Sequence, residues 1–218
     1  MNVAYKNYWQ RKQLASNSCP SFPALPYTTS DHFDPVDKIV FDTIQEGSSL
    51  LDFGAGDLRL QKKFVRAGYQ GDYKTLDISV EYSYDYGSIE QVQSTFDSIL
   101  FMDVIEHLPL NKGLELLNSL IDKLNPKGSL ILQTPNARCL RNPMATDMTH
   151  LHIYNLKDLW AYTTAMDLQS SGWRVFLQNE GRGPIQKFKD LISKAVTTKI
   201  LGSDYADNIL LIIKKAPQ

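Results

Sequence analysis

Apolar residues along this chain switch between two spacings, and the switches cut it into short elements. Val36, Ile39, Val40 and Ile44 recur at helical steps and predict a helix over 36–45. Residues 49–53 (Ser-Leu-Leu-Asp-Phe) are instead a short apolar run ended by Gly54-Ala55-Gly56, which reads as a buried strand entering a tight turn. Helical spacing returns over 58–67 through Leu60, Phe64 and Ala67, with Gly68 as its stop. Strands are expected at 73–76, ending at Asp77, and at 96–101, ending near Asp103. Leu114, Leu117, Leu120, Ile121 and Leu124 make one stripe along a helix over 111–124, and 129–133 is a strand closed by Thr134-Pro135-Asn136. Helix 156–170, strand 173–177, helix 185–197 and strand 209–213 complete the series.

Strands that alternate with helices and are apolar throughout belong to a mostly parallel sheet covered on both faces. One α/β domain, residues 36–218, accounts for most of the chain, with 181–200 as a helical insertion. Residues 1–35 differ. Positions 1–14 suit a short helix carrying Tyr5, Tyr8 and Trp9, whereas 16–35 hold four prolines among Ser, Thr and Asp and read as loop. The aromatics Tyr8, Trp9, Phe22, Tyr27 and Phe33 suit this segment to act as a lid.

Composition narrows the field. Lys and Arg number 23 and Asp and Glu 24, a formal net charge of −1, without the basic surplus of nucleic-acid binders. Apolar residues at 43% and charged residues at 22% of 218 fit a globular chain. No run approaches the roughly 18 residues of a membrane span, and the polar N-terminus lacks a signal-peptide core. Two cysteines, Cys19 and Cys139, form no disulfide framework, so a cytoplasmic protein is expected.

Ligands of such sheets bind at the carboxyl ends of strands, so those ends carry the chemistry. Gly54 and Gly56 let a ligand approach the backbone, and the helix after them points its positive end at the same place. A dinucleotide fingerprint would place a third glycine where Arg59 stands, which weakens an NAD reading; no Gly-Lys-Ser/Thr follows, which excludes a Walker loop. Asp52 is a carboxylate on a buried strand and needs donors. Asp77 follows the second glycine by about 20 residues, the spacing at which an acidic side chain takes up ribose hydroxyls.

Leu50-Leu51-Asp52-Phe53-Gly54-Ala55-Gly56, Leu76-Asp77-Ile78, Phe96–Leu100 leading to Asp103-Val104-Ile105-Glu106-His107-Leu108, and Leu124-Asn125-Pro126-Lys127-Gly128 fall in one order. Together they resemble the class I S-adenosylmethionine-dependent methyltransferases over about residues 45–136, and more weakly through Thr149-His150 to Gly172-Trp173. Relatives often carry a third glycine where Leu58 stands here. The resemblance implies an α/β, Rossmann-like doubly wound, mostly parallel seven-stranded sheet with helices on both faces, and S-adenosyl-L-methionine as cofactor. It implies that Gly54 and Gly56 line the methionine part, that Asp52 faces its amino group, and that Asp77 holds the ribose. By the same resemblance Ile78 packs on the adenine, Asp85 or Tyr86, after a further strand, meets the adenine edge, and Met102 and Asp103 flank the methyl side.

Methyl transfer to a hydroxyl also needs a base, and histidine suits neutral pH. Of His32, His107, His150 and His152, the last two lie in the loop 136–155 beyond a strand end, with Asp147 beside them to orient an imidazole. His150 is the expected base and His152 the second choice; Glu106 and His107 read as a surface pair. No metal site is assigned, a set of Asp147, His150 and His152 being the one conceivable alternative. The expected activity is O-methylation of a small hydroxylated metabolite such as a sugar, a glycan precursor or a phenol. The competing class is a catalytically silent module that keeps the fold. For the amphipathic stretch 181–197, packing on the sheet, a cover for the pocket, a homodimer contact and a membrane-surface contact are the alternatives.

Overall fold

A computed structural model describes residues 2–28, 33–140, 142–178, 192 and 195–215. Seven strands form one sheet in the order β1-β6-β7-β5-β4-β2-β3. They are β1 (Ala24–Tyr27), β2 (Ser49–Phe53), β3 (Asp72–Leu76), β4 (Phe96–Met102), β5 (Leu124–Pro135), β6 (Gln169–Leu177) and β7 (Asn208–Lys214). β7 runs antiparallel to both β5 and β6, and every other pairing is parallel.

The continuous apolar runs follow from burial on both faces. Successive side chains of a strand point to opposite sides. Leu51, Ile99 and Phe101 therefore enter one core, and Leu50 and Leu100 enter the other. The first core is closed by α4 (Leu110–Asp122) and α5 (Leu156–Thr164), whose Leu114, Leu117, Leu120, Leu156 and Leu159 are buried there. The second is closed by α2 (Pro35–Thr43) and α3 (Arg59–Arg66) through Val36, Val40 and Phe64. On α3 only Phe64 is buried, edge-on to Phe41 and Tyr73 at 5.3 and 6.3 Å between ring centroids. Phe64 anchors the helix that follows the glycine turn, joined by half-buried Leu60 and by the Lys63–Asp37 ion pair at 2.7 Å.

The seventh strand comes from an unexpected place. Residues 16–35 contain β1, which pairs with β6 at the sheet edge. Its Pro26 has no N–H to donate, which an edge position tolerates, while Pro20 and Pro23 remain in loop and Pro35 opens α2. The further strand expected ahead of Asp85 is reduced to a single bridge between Leu76 and Tyr86. Helix 156–170 stops at Thr164, where Asp167 takes a positive φ and β6 begins two residues later. Most of the helix expected at 185–197, and of the insertion 181–200, lies outside the described residues; Val196–Ile200 forms one wide helical turn.

The aromatics proposed as a lid do not gather over one pocket. Phe22 packs on the α4/α5 core and Tyr27 on the α2 core. Phe33 meets Phe41 and Phe64, and Tyr8 meets Tyr5 and Trp9. Helix α1 (Tyr8–Asn17) lies along α5, with Arg11 over the Tyr162 ring.

Asp34 joins the N-terminal arm to the domain. Its carboxylate accepts from Val36 N and Asp37 N in a capping box, and from Thr28 N just past β1. Asp34→Ala is expected to cost about 1–2 kcal/mol, the worth of a good cap. A lower urea midpoint at unchanged slope would show it, and an unchanged midpoint would contradict it.

Candidate active site

The carboxyl ends of β5, β4, β2 and β3, neighbours in that order from the centre of the sheet to its edge, lie side by side. Gly54 (φ +81°) and Gly56 (φ +49°) turn the chain after β2. Gly54 N and Ala55 N both donate to Leu76 O, at 2.8 and 3.1 Å, which folds the turn onto the end of β3. A Cβ on Gly54 would collide with Val104 Cγ2, so this glycine is required for close packing as well as for its φ. Leu58 adopts φ +60° and ψ +19°, the left-handed conformation that a glycine would take without strain. The loop therefore keeps its shape without the third glycine, at a local energetic cost.

The turn presents its next donor to the neighbouring strand. Gly56 N donates to Asp77 Oδ2 at 2.9 Å, and Ser79 N donates to Asp77 Oδ1 at 2.8 Å. A carboxylate offers about four lone-pair positions, so two remain for a diol. Ile78 and Val80, beside it, are 87% and 95% exposed, an apolar surface next to a polar clasp. Tyr84 Oη donates to Gly56 O at 2.7 Å and closes this side.

Asp52, 3% exposed, accepts from Tyr73 Oη at 2.8 Å. Burial pushes its carboxyl up from 3.8 to about 6, against the Tyr73 hydrogen bond, with Asp77 adding repulsion. Asp85 turns back onto β3: its Oδ2 accepts from Thr75 N and Thr75 Oγ1, both at 2.9 Å, and Lys74 Nζ lies 3.5 Å from Oδ1. That makes Asp85 a brace for the strand, with its acceptors engaged there.

At the end of β4, Met102 is half-buried and Asp103 takes φ +53°. Asp103 N donates to Gln133 O, and Gln133 Nε2 donates back to Asp103 Oδ2, both at 2.9 Å. The turn Ile105–His107 then carries Glu106, which is 1% exposed and accepts from Thr134 Oγ1 at 2.9 Å. Burial pushes the Glu106 carboxyl up to about 7, and Asp103 adds to the shift. Leu151 N and His152 N both donate to Glu106 O, which pins the loop 136–155 over this turn.

Of the expected catalytic residues, the structure brings His150 to His107, with ring centroids 5.0 Å apart. Glu106, His107 and His150 each offer a ligand atom within 4.8 Å of the others. The Asp147 carboxylate hydrogen-bonds neither the His150 nor the His152 ring, although Asp147 O accepts from His150 N at 3.3 Å; its Oδ1 accepts from Thr149 N and Thr149 Oγ1, and Thr149 Oγ1 lies 2.9 Å from His107 Nδ1. His152 stacks edge-on to Tyr154 at 4.7 Å, and burial lowers its pKa. His32 lies outside the described residues. Glu106 and His107 are the residues that the sequence reading missed. Their signal is position: they follow the buried Ile105 at the end of a central strand, where side chains face the ligand crevice.

A mostly parallel sheet with a glycine turn clasped by a carboxylate from the next strand is the architecture of an α/β nucleotide-binding domain. The sequence matches the methyltransferase domain family over residues 30–174. The chain belongs to that family, and it is a class I S-adenosylmethionine-dependent methyltransferase. No curated protein is similar enough in sequence to count as a relative. Among solved structures it is similar to a SAM-dependent methyltransferase from Archaeoglobus fulgidus (15% identity, TM-score 0.60, covering 82% of this chain and 90% of that one). It is similar also to the plantazolicin methyltransferase BpumL in complex with a triazolic desmethylPZN analog and SAH (15%, 0.54, 85% and 83%). A third is the methyltransferase in a complex with the Haloferax volcanii Trm112 activator (11%, 0.57, 98% and 92%). At such identities the likeness is one of fold. Among the described residues, no helix is long and apolar enough to cross a membrane.

The raised Asp52 pKa has a definite sign. The stability it gives the free protein is fully present below the unfolded value of 3.8 and is lost as pH rises through about 6. Asp52→Asn is therefore expected to stabilise the cofactor-free protein by about 2–3 kcal/mol at pH 7.5, the equivalent of a two-unit shift. The gain should shrink toward zero near pH 4 in urea titrations; a gain independent of pH would contradict the assignment.

Proposed function

We propose that this methyltransferase acts on an oxygen, methylating a hydroxyl of a small metabolite such as a sugar, a glycan precursor or a phenol. S-Adenosylmethionine supplies the activated methyl group on a cationic sulfur. Asp77 is suited to accept both ribose hydroxyls with the lone pairs that Gly56 and Ser79 leave open. Ile78 offers its exposed apolar side chain to the adenine. Asp52 gives the cofactor's ammonium a buried counter-charge, which offsets the cost of ionising that carboxyl. Gly54 and Gly56 bring the backbone close to the methionine portion, and Met102 and Asp103 border the methyl side.

The observation that carries the oxygen reading is the Glu106, His107 and His150 cluster one turn beyond Asp103. Transfer to a hydroxyl must dispose of a proton, and a group of one carboxyl and two imidazoles is built for that task. An acceptor held at this cluster has its oxygen beside the methyl side of the pocket. The protein then contributes alignment and exclusion of water.

The test is a panel of hydroxylated acceptors assayed for formation of S-adenosylhomocysteine, with the methylated atom read by NMR. O-methylated product is the expected result; product carrying the methyl on nitrogen or carbon, or none with any acceptor, would overturn the reading. With an active acceptor, His150→Ala should lower kcat by about 10²–10⁴-fold, the range for lost proton transfer. Its S-adenosylhomocysteine affinity should stay within about twofold.

A further inference from the structure

We propose that Glu106, His107 and His150 form a site for a first-row divalent transition-metal ion, and that this ion grips the acceptor hydroxyl. The inference rests on the oxygen-methylation reading for the ion's role, though not for its binding.

The first argument is the donor set. Two imidazoles and a carboxylate suit Mn²⁺, Co²⁺ or Zn²⁺ better than an all-oxygen cation site would. One donor atom from each lies within 4.8 Å of the others. Ligands about 2.0–2.2 Å from one ion are about 3–4 Å apart, so side-chain shifts of less than about 1 Å close the set.

Independently of the donor set, the surroundings orient both rings and fix the tautomer that binds metal. His150 Nδ1 lies 2.8 Å from Pro143 O, and a carbonyl only accepts, so Nδ1 carries the proton. The Thr149 hydroxyl proton is committed to Asp147 Oδ1 at 2.6 Å, which leaves Thr149 Oγ1 to accept from His107 Nδ1 at 2.9 Å. Thr149 O, 3.3 Å away, is a second acceptor for the same proton. In the neutral imidazole each ring then has its lone pair on Nε2. A ring N–H given to a carbonyl, or passed by a hydroxyl to a carboxylate, is the outer-shell pattern that orients metal-bound histidines. Thr134 holds Glu106 in the same manner, at 2.9 Å. This also gives Asp147 a role: it holds His107 through Thr149 and is not itself a ligand.

Three protein ligands leave at least one coordination position open, as in catalytic rather than structural metal sites. A hydroxyl oxygen bound there gives up its proton more readily. The proton passes to solvent, the new C–O bond forms as the methyl–sulfur bond breaks, and the electron pair of that bond stays on sulfur. His150 assists the loss of that proton as a ligand when the ion is bound and as the base when it is not, so the kcat loss expected of His150→Ala holds in either case.

The test is binding, read without turnover. Protein stripped with chelator is dialysed against Mn²⁺, Co²⁺ or Zn²⁺, singly, and bound metal is counted. Cobalt is followed also by its visible absorption. One ion per chain is expected, with affinity lowered at least tenfold in Glu106→Gln, His107→Gln and His150→Gln. Thr149→Val, which alters no ligand, should weaken binding about 10–100-fold. S-Adenosylhomocysteine affinity, measured on every variant, should stay within about twofold and shows that each is folded. Should buried Glu106→Gln fail to fold, the two histidine variants and Thr149→Val decide. Wild-type protein that binds S-adenosylhomocysteine but retains no ion would overturn the proposal, as would equal metal affinity in the histidine variants. Metal binding without an O-methylated product would uphold the site while defeating the oxygen reading.

Discussion

The site depends on one hydrogen bond between strand ends, from Gly56 N to Asp77 Oδ2 at 2.9 Å. It joins the turn after β2 to the end of β3 and sets the distance between the two halves of the proposed cofactor cradle. Gly54 N and Ala55 N reinforce it through Leu76 O. The turn cannot shift without losing three backbone donors' partners, and Val104 blocks any side chain at Gly54. Leu58 shows what the arrangement tolerates: it accepts left-handed geometry because the flanking contacts determine the loop.

The same crevice concentrates carboxylates that are costly to ionise. Asp52 and Glu106 are both almost wholly buried and both pushed toward neutral pH by that burial. A surface protein would gain nothing from either. In the proposed function the cofactor's ammonium offsets that cost at Asp52.

Much of this was legible in the sequence. Val36, Ile39 and Val40 marked α2, and Leu114, Leu117, Leu120 and Ile121 marked α4, because one helical face meets the sheet. The runs at β2, β4, β5 and β7 were clear because both their faces are covered. Strand β1 was hidden, since Pro26 on a four-residue edge strand leaves no alternating pattern. The places of Asp52, Gly54, Gly56 and Asp77 in the fold were readable from spacing, because all four lie at the carboxyl ends of β2 and β3. Glu106 and His107 were not: their partners, Thr134, Thr149 and His150, come from β5 and the loop beyond it, and pairing across 28 or more residues leaves no periodic trace.

The most direct measurement is a crystal structure of the complex with S-adenosylhomocysteine. The account requires both ribose hydroxyls within about 3 Å of the Asp77 carboxylate, with Gly56 N still bonded to it. A ribose lying elsewhere, with Asp77 holding only Gly56 and Ser79, would contradict it.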